Sequence, residues 1–212
     1  MSTLKIKICG MREPENIRAM FSIKPDFMGF IFYPKSKRYV GDVPNMEAFN
    51  SVSKSVNKVA VFVNETPEQM RITCSCYEFE YVQLHGNETA YTCQKMKESG
   101  LKVIKAFSID EDFNFETIKD YELSADYFLF DTKTEGHGGS GKQFNWQLLD
   151  KYKGNVPFFL SGGITLKDAA TIKQIDHPKL FGIDVNSKFE IEPGVKDNRL
   201  VAMLKYAMNQ EG

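Results

Sequence analysis

No apolar run in this 212-residue sequence approaches the roughly 20 residues that a membrane-crossing helix needs. Charge of one sign is missing as well, with 27 Lys+Arg against 28 Asp+Glu. The first absence argues against a membrane protein. The second removes the broad positive field by which a polyanion is held through counterion release, so no nucleic-acid partner is expected. Cysteine is scarce: Cys9, Cys74, Cys76 and Cys93 show neither paired C-x-x-C zinc spacing nor the density of a disulfide scaffold, and free thiols are expected. The opening stretch "MSTLKIKICGMR" lacks the continuous apolar segment of a signal peptide, which makes a cytoplasmic location the expectation. Pro/Ser-rich linkers and low-complexity tracts are also absent, so residues 1–212 are expected to form one domain.

What is present is a regular alternation of short β-branched and aromatic runs with helix-period segments. The runs are "KIKIC" (5–9), "FMGFIF" (27–32), "KVAVFV" (58–63), "YVQLH" (81–85), "KVIKAFS" (102–108), "YFLFD" (127–131), "PFFLSG" (157–162) and "LFGIDV" (180–185). Several are apolar at nearly every position, as parallel strands buried on both faces are. Helix starts are marked at Glu13-Pro14, Thr66-Pro67-Glu68, Asn87-Glu88, Thr165 and Asp197. Eight strand–helix units favour an α/β fold of the closed (β/α)8 barrel type, with eight parallel strands. An open doubly wound sheet that bound a dinucleotide would carry G-x-G-x-x-G after its first strand, where this chain has "CGMREPEN".

A barrel gathers its reactive groups at the carboxyl ends of the strands. Those ends carry Cys9-Gly10, the stretch from Phe32 to Arg38, Asn64, His85-Gly86, Ser108, Asp131, Ser161-Gly162-Gly163, and Asp184 to Ser187. Beyond Asp131 lies "TKTEGHGGSGKQ", whose glycines present backbone N–H groups unobstructed by side chains, a device for cradling phosphate oxygens. A lone glycine-rich loop is as often only a turn. Further glycines after strands seven and eight, where many barrels bind phosphate, favour a phosphorylated ligand.

Several stretches together carry a family resemblance: "KICGM", "GFIFYPKSKRYV", "VAVFVN", "VQLHGNE", "FDTKTEGHGGSGKQFNW", "FFLSGGI" and "GIDVNSKFEIEPGVKD". In this order the set resembles the phosphoribosylanthranilate isomerases of tryptophan biosynthesis over nearly the full chain. The resemblance implies a (β/α)8 barrel that converts N-(5'-phosphoribosyl)anthranilate into 1-(o-carboxyphenylamino)-1-deoxyribulose 5-phosphate. It implies an Amadori rearrangement with no cofactor and no metal, in a monomer or a homodimer. By its motifs, Cys9 matches a general base and Asp131 a general acid, while Arg38 and Asp184 match substrate-binding positions; His85, at the end of its strand, is expected to line the site and bind substrate. Phosphate contacts are implied for Gly138, Gly139, Ser140 and Gly141, for Gly162 and Gly163, and for Asn186 and Ser187. Two departures stand out: Lys37 occupies a position where proline is common, and Asn186 and Lys188 replace serine and glycine.

The chemistry asks for such a pair. Opening a ribose ring and then moving a proton off C2 requires an acid and a base on one sugar. Asp131 must hold a proton to act as the acid, which its apolar strand "YFLF" favours. A thiolate takes a proton from a carbon that an adjacent iminium has made acidic. A strand cysteine is more often a small buried hydrophobe, an aspartate a turn cap, and a lone histidine a packing residue. Of the rival sugar-phosphate barrels, the related histidine-biosynthesis isomerase would carry aspartate where Cys9 stands. A ribulose-phosphate epimerase would need a metal-binding set that His85, His137 and His177 do not supply. A non-catalytic phosphate sensor would have no use for both Cys9 and Asp131.

Overall fold

The structure, a computed structural model, describes residues 3–42, 44–133 and 143–210. Eight parallel strands close into a barrel in chain order: β1 (Lys5–Cys9), β2 (Phe27–Ile31), β3 (Asn57–Phe62), β4 (Tyr81–Leu84), β5 (Lys102–Ile109), β6 (Tyr127–Thr132), β7 (Phe158–Leu160) and β8 (Leu180–Val185). Closure is made where β1 pairs with both β2 and β8, with Lys7 opposite Phe27 on one side and Asp184 on the other. Every expected strand is found, β1 and β8 with the expected bounds. The last residue expected of β2, β3 and β4 and the last two of β7 lie beyond the strand, where the chain has already turned into the loop.

Alternation along each strand divides the apolar residues into two sets. One set, Phe27, Val59, Val61, Ile104, Ala106, Leu129 and Phe159 together with Cys9, fills the barrel interior. Its lower part is a knot of rings, with Phe27 edge-on to Tyr81 and to Phe159 at 5.3 Å and Phe159 against Phe181 at 5.2 Å. The interior is a packed core with an aromatic floor and no pore. The outward-facing set, including Ile6, Ile8, Phe30, Val82, Phe128 and Ile183, packs against the surrounding helices.

Those helices are α1 (Pro14–Ile23), α2 (Met46–Asn50), α3 (Pro67–Cys76), α4 (Ala90–Glu98), α5 (Ala169–Lys173) and α6 (Asn198–Asn209). Thr66 caps α3 by accepting from the Gln69 N–H at 3.2 Å, and Asp197 caps α6 by accepting from Arg199 and Leu200. The cap of α4 is Thr89 rather than Asn87, because Glu88 turns inward to an ion pair with Lys105. After β5 and β6 the connections are 3-10 helices, Phe115–Tyr121 and Trp146–Lys151. A small antiparallel hairpin, β9 (Glu190–Glu192) with β10 (Val195–Lys196), follows β8. Among the described residues no helix is long and apolar enough to cross a membrane.

Candidate active site

Two lines of polar side chains rise along the inner wall to the carboxyl ends of the strands. The first runs Ser161, Asp184, Lys7, Cys9. Cys9 ends β1 and is 4 % exposed, and Lys7 sits two residues below it on the same inward face, fully buried. The Lys7 ammonium lies 2.8 Å from Asp184 Oδ1, and the Ser161 hydroxyl donates to Asp184 Oδ2 at 3.2 Å. Across from Cys9 on β2 stands Gly29, and a Cβ there would crowd both groups, lying 2.9 Å from Cys9 Sγ and 3.0 Å from Lys7 Nζ.

Burial pushes the Cys9 thiol above its ordinary value. The Lys7 charge and hydrogen bond work against that rise, as does Lys196 more weakly, while Asp184 reinforces it. For Lys7, burial alone would favour loss of the proton, but Asp184 and Cys9 outweigh it and hold the ammonium above its usual value.

The second line is Gln83, His85, Asp131. Gln83 is fully buried on β4, and its amide nitrogen lies 2.7 Å from His85 Nδ1. His85 Nε2 stands 3.3 Å from Asp131 Oδ2, and Asp131 Oδ1 accepts from the Thr132 N–H at 2.9 Å. Asp131 is two residues beyond Leu129, a member of the interior cluster, and therefore shares its inward face. The loop bearing His85 is pinned from behind. Lys105 donates to the carbonyls of Leu84 and Gly86 and to Glu88, and Glu88 accepts from the N–H groups of Gly86 and Asn64.

Arg38, from the loop after β2, is gripped in a fork by Glu190 of β9. Its Nε is 2.8 Å and its Nη2 2.7 Å from the two carboxylate oxygens. Glu190 also accepts from Lys196 at 2.5 Å, and Lys196 donates to Asn186 Oδ1 at 2.7 Å. Burial pushes Glu190 up, yet the hydrogen bond from Arg38 and the charge of Lys196 prevail and hold it below the usual carboxylate value.

Gly162 and Gly163 follow β7 with φ of +94° and +63°. A side chain on Gly162 would collide with Thr132. Just beyond, Asp168 accepts from both the backbone and the hydroxyl of Thr165, closing a capping box at the start of the Leu166–Asp168 turn. Asn186 and Ser187 begin the short Ser187–Phe189 turn after β8. Lys196 occupies Asn186 Oδ1, which leaves the side-chain amide nitrogen and the backbone N–H as donors toward an anion. Gly138, Gly139, Ser140 and Gly141, expected at the phosphate, lie outside the described residues, as does His137.

Sequence reasoning thus pointed to Cys9, Arg38, His85, Asp131 and Asp184, and the fold brings all five to strands or loops at the carboxyl end of the barrel. It overlooked Lys7, Gln83, Glu190 and Lys196. Lys7 was detectable, since a lysine at the inward position of an otherwise apolar strand, two residues from Cys9, breaks the pattern of a buried strand.

A closed parallel barrel with acid, thiol and cation side chains at the carboxyl ends of its strands defines a (β/α)8-barrel enzyme. Residues 6–205 match the family model described as N-(5'phosphoribosyl)anthranilate (PRA) isomerase. An N-(5'-phosphoribosyl)anthranilate isomerase of Parabacteroides distasonis is 50 % identical over 193 residues, covering 91 % of this chain and 87 % of that protein. The crystal structure of the Thermotoga maritima enzyme superposes with a TM-score of 0.82 at 34 % identity, covering 95 % of this chain and 96 % of its own. A phosphoribosylanthranilate isomerase in complex with reduced 1-(o-carboxyphenylamino)-1-deoxyribulose 5-phosphate gives 0.81 at 31 %, covering 97 % and 98 %. The chain belongs to the N-(5'-phosphoribosyl)anthranilate isomerase family and is an isomerase of tryptophan biosynthesis.

Proposed function

We propose that this chain rearranges N-(5'-phosphoribosyl)anthranilate to 1-(o-carboxyphenylamino)-1-deoxyribulose 5-phosphate with Asp131 as general acid and Cys9 as general base. Asp131 gives its proton to the ring oxygen as the C1–O bond breaks and the anthranilate nitrogen becomes an iminium. The Cys9 thiolate then takes the proton from C2, and the electron pair of that C–H bond flows into the iminium to leave an enolamine, which ketonises to product. His85 holds the Asp131 carboxyl toward the sugar. Arg38, its Nε and Nη2 fixed by Glu190, meets the anthranilate carboxylate with its remaining N–H groups. Asp184 Oδ2 keeps a lone pair for a sugar hydroxyl. The phosphate rests on the amides of Gly162 and Gly163 and of Asn186 and Ser187, and Gly138, Gly139, Ser140 and Gly141 are further candidate contacts by their glycine-rich sequence.

The observation that carries this reading is that the thiol and the carboxyl both occupy inward positions at the carboxyl ends of their strands, one on β1 and one on β6. The complex of a relative with a reduced product analogue supports the choice of ligand. Since every proposed group comes from one chain, monomer and homodimer are expected to turn over alike.

Cys9→Ala and Asp131→Asn are each expected to lower kcat by about 10²-fold or more with an unchanged circular dichroism spectrum. Steady-state assay with phosphoribosylanthranilate, backed by growth of a tryptophan auxotroph lacking this step, decides it. Near-normal turnover by either variant removes that residue from its role.

A further inference from the structure

We infer that Lys7 is a positioning residue for Cys9, the fixed ammonium beside which the thiolate forms, with Asp184 holding that ammonium in place. The inference rests on the reading of Cys9 as the base.

Lys7 is fully buried inside a barrel whose apolar interior cluster includes Phe27, Val59, Ile104, Leu129 and Phe159, with Asp184 opposite it on β8. A buried ion pair is a poor way to gain stability, because desolvation of both charges cancels most of the attraction and well-packed apolar residues do as well or better. Stability therefore gives no reason for a lysine here. Geometry gives another. Nζ and the Cys9 sulfur flank the same small space, each about 3 Å from the point that a Gly29 Cβ would fill, so the missing side chain of β2 is what lets cation and thiol meet. The 2.8 Å contact to Asp184 fixes the lysine from the far side.

The charges facing Cys9 come from three elements. Lys7 lies on its own strand, Asp184 on β8 and Lys196 on β10, while Gly29 of β2 contributes none. Burial disfavours the thiolate and Lys7 is the main influence in its favour, so without Lys7 the sulfur would hold its proton to still higher pH. The proton balance is simple. The thiol releases its proton to solvent before substrate closes the site, and the thiolate takes one from C2 in turn. Lys7 stays protonated throughout.

The test is a titration of the Cys9 thiolate by its ultraviolet absorbance, taken as the difference from a Cys9→Ala chain to remove the signals of Cys74, Cys76 and Cys93. The pH profile of kcat/KM is recorded beside it. Lys7→Met is expected to raise the midpoint by about one pH unit, which is about tenfold less thiolate at any pH below it, and to move the acid limb of kcat/KM equally. Asp184→Asn, which is isosteric, is expected to move the midpoint the other way, since it removes the negative charge that opposes the thiolate. Midpoints equal to wild type in both variants overturn the inference. Should Lys7→Met fail to fold, Lys7→Gln, which keeps a donor for Asp184 but no charge, decides in its place, and an unmoved or lower midpoint is the contrary result. If Cys9→Ala retains activity, the base assignment falls, while the absorbance titration still reports whether Lys7 and Cys9 are coupled.

Discussion

Gln83 illustrates how one side chain separates activity from stability. Its amide nitrogen faces His85 Nδ1, whereas its Oε1 is buried with no hydrogen-bond partner among the described residues. An orphaned buried oxygen is a cost, so removing it offsets the bond lost at the part-exposed His85 ring when the amide is replaced by an apolar group of similar shape. Gln83→Met is therefore expected to leave the thermal midpoint within a few degrees of wild type. The His85 ring loses its anchor, and kcat should fall by up to about 10²-fold, the scale of a misplacement of about 1 Å. Parallel melting and steady-state measurements check the split; a fall in both together would mean that Gln83 is simply part of the core. Sequence alone singled out His85 because it ends an apolar run, but its partner was hidden. A glutamine inside "YVQLH" reads as a tolerated polar residue until the barrel closes and turns it inward.

Among elements, the loop from β4 into α4 is held at several backbone groups at once, and the reason is an ion pair outside the barrel. Lys105 and Glu88 are 3 % and 2 % exposed and 3.0 Å apart, and between them they satisfy two carbonyls and the N–H groups of Gly86 and Asn64. Breaking such a pair from one side strands a buried charge. Lys105→Met is expected to cost about 3–5 kcal/mol in urea unfolding, and Lys105→Met combined with Glu88→Leu to recover part of it. No recovery in the double variant would mean that the cost lies in the backbone bonds instead. The strands themselves were legible, since a fully buried parallel strand must be apolar on both faces and few other elements are. Less legible was what joins them. After β5 and β6 the chain makes 3-10 turns at Phe115–Tyr121 and Trp146–Lys151, each capped by an asparagine, Asn114 and Asn145, whose capping bonds are local and carry no periodicity. The β9–β10 hairpin escaped as well: "EIEPGVK" has the composition of a loop, and its purpose, holding Glu190 against Arg38, depends on a contact across 152 residues of sequence.

At the scale of the whole molecule, the groove between barrel and helices holds thiols that stay protonated. Burial pushes Cys74 up to about 12 and Cys93 up to about 11 from an ordinary 9.0. A raised folded value means that the unfolded chain loses these protons first. Their contribution is thus complete below pH 9.0 and drains away as pH climbs through about 11 to 12. Urea midpoints measured from pH 8 upward should fall over that window, and less steeply in a Cys74→Ala/Cys93→Ala chain; identical slopes would assign the alkaline loss to other groups. The site stands apart from this layer, because the strands present it on the inner wall while their outward faces pack against the helices.

The ring-packed floor beneath Cys9 has a last consequence for traffic. Among the described residues, Phe27, Tyr81, Phe159 and Phe181 pack together beneath the site, so the well is approached from the carboxyl ends of the strands. Whatever enters must leave by the way it came, so a departing molecule and its successor contend for the same opening and are never bound together.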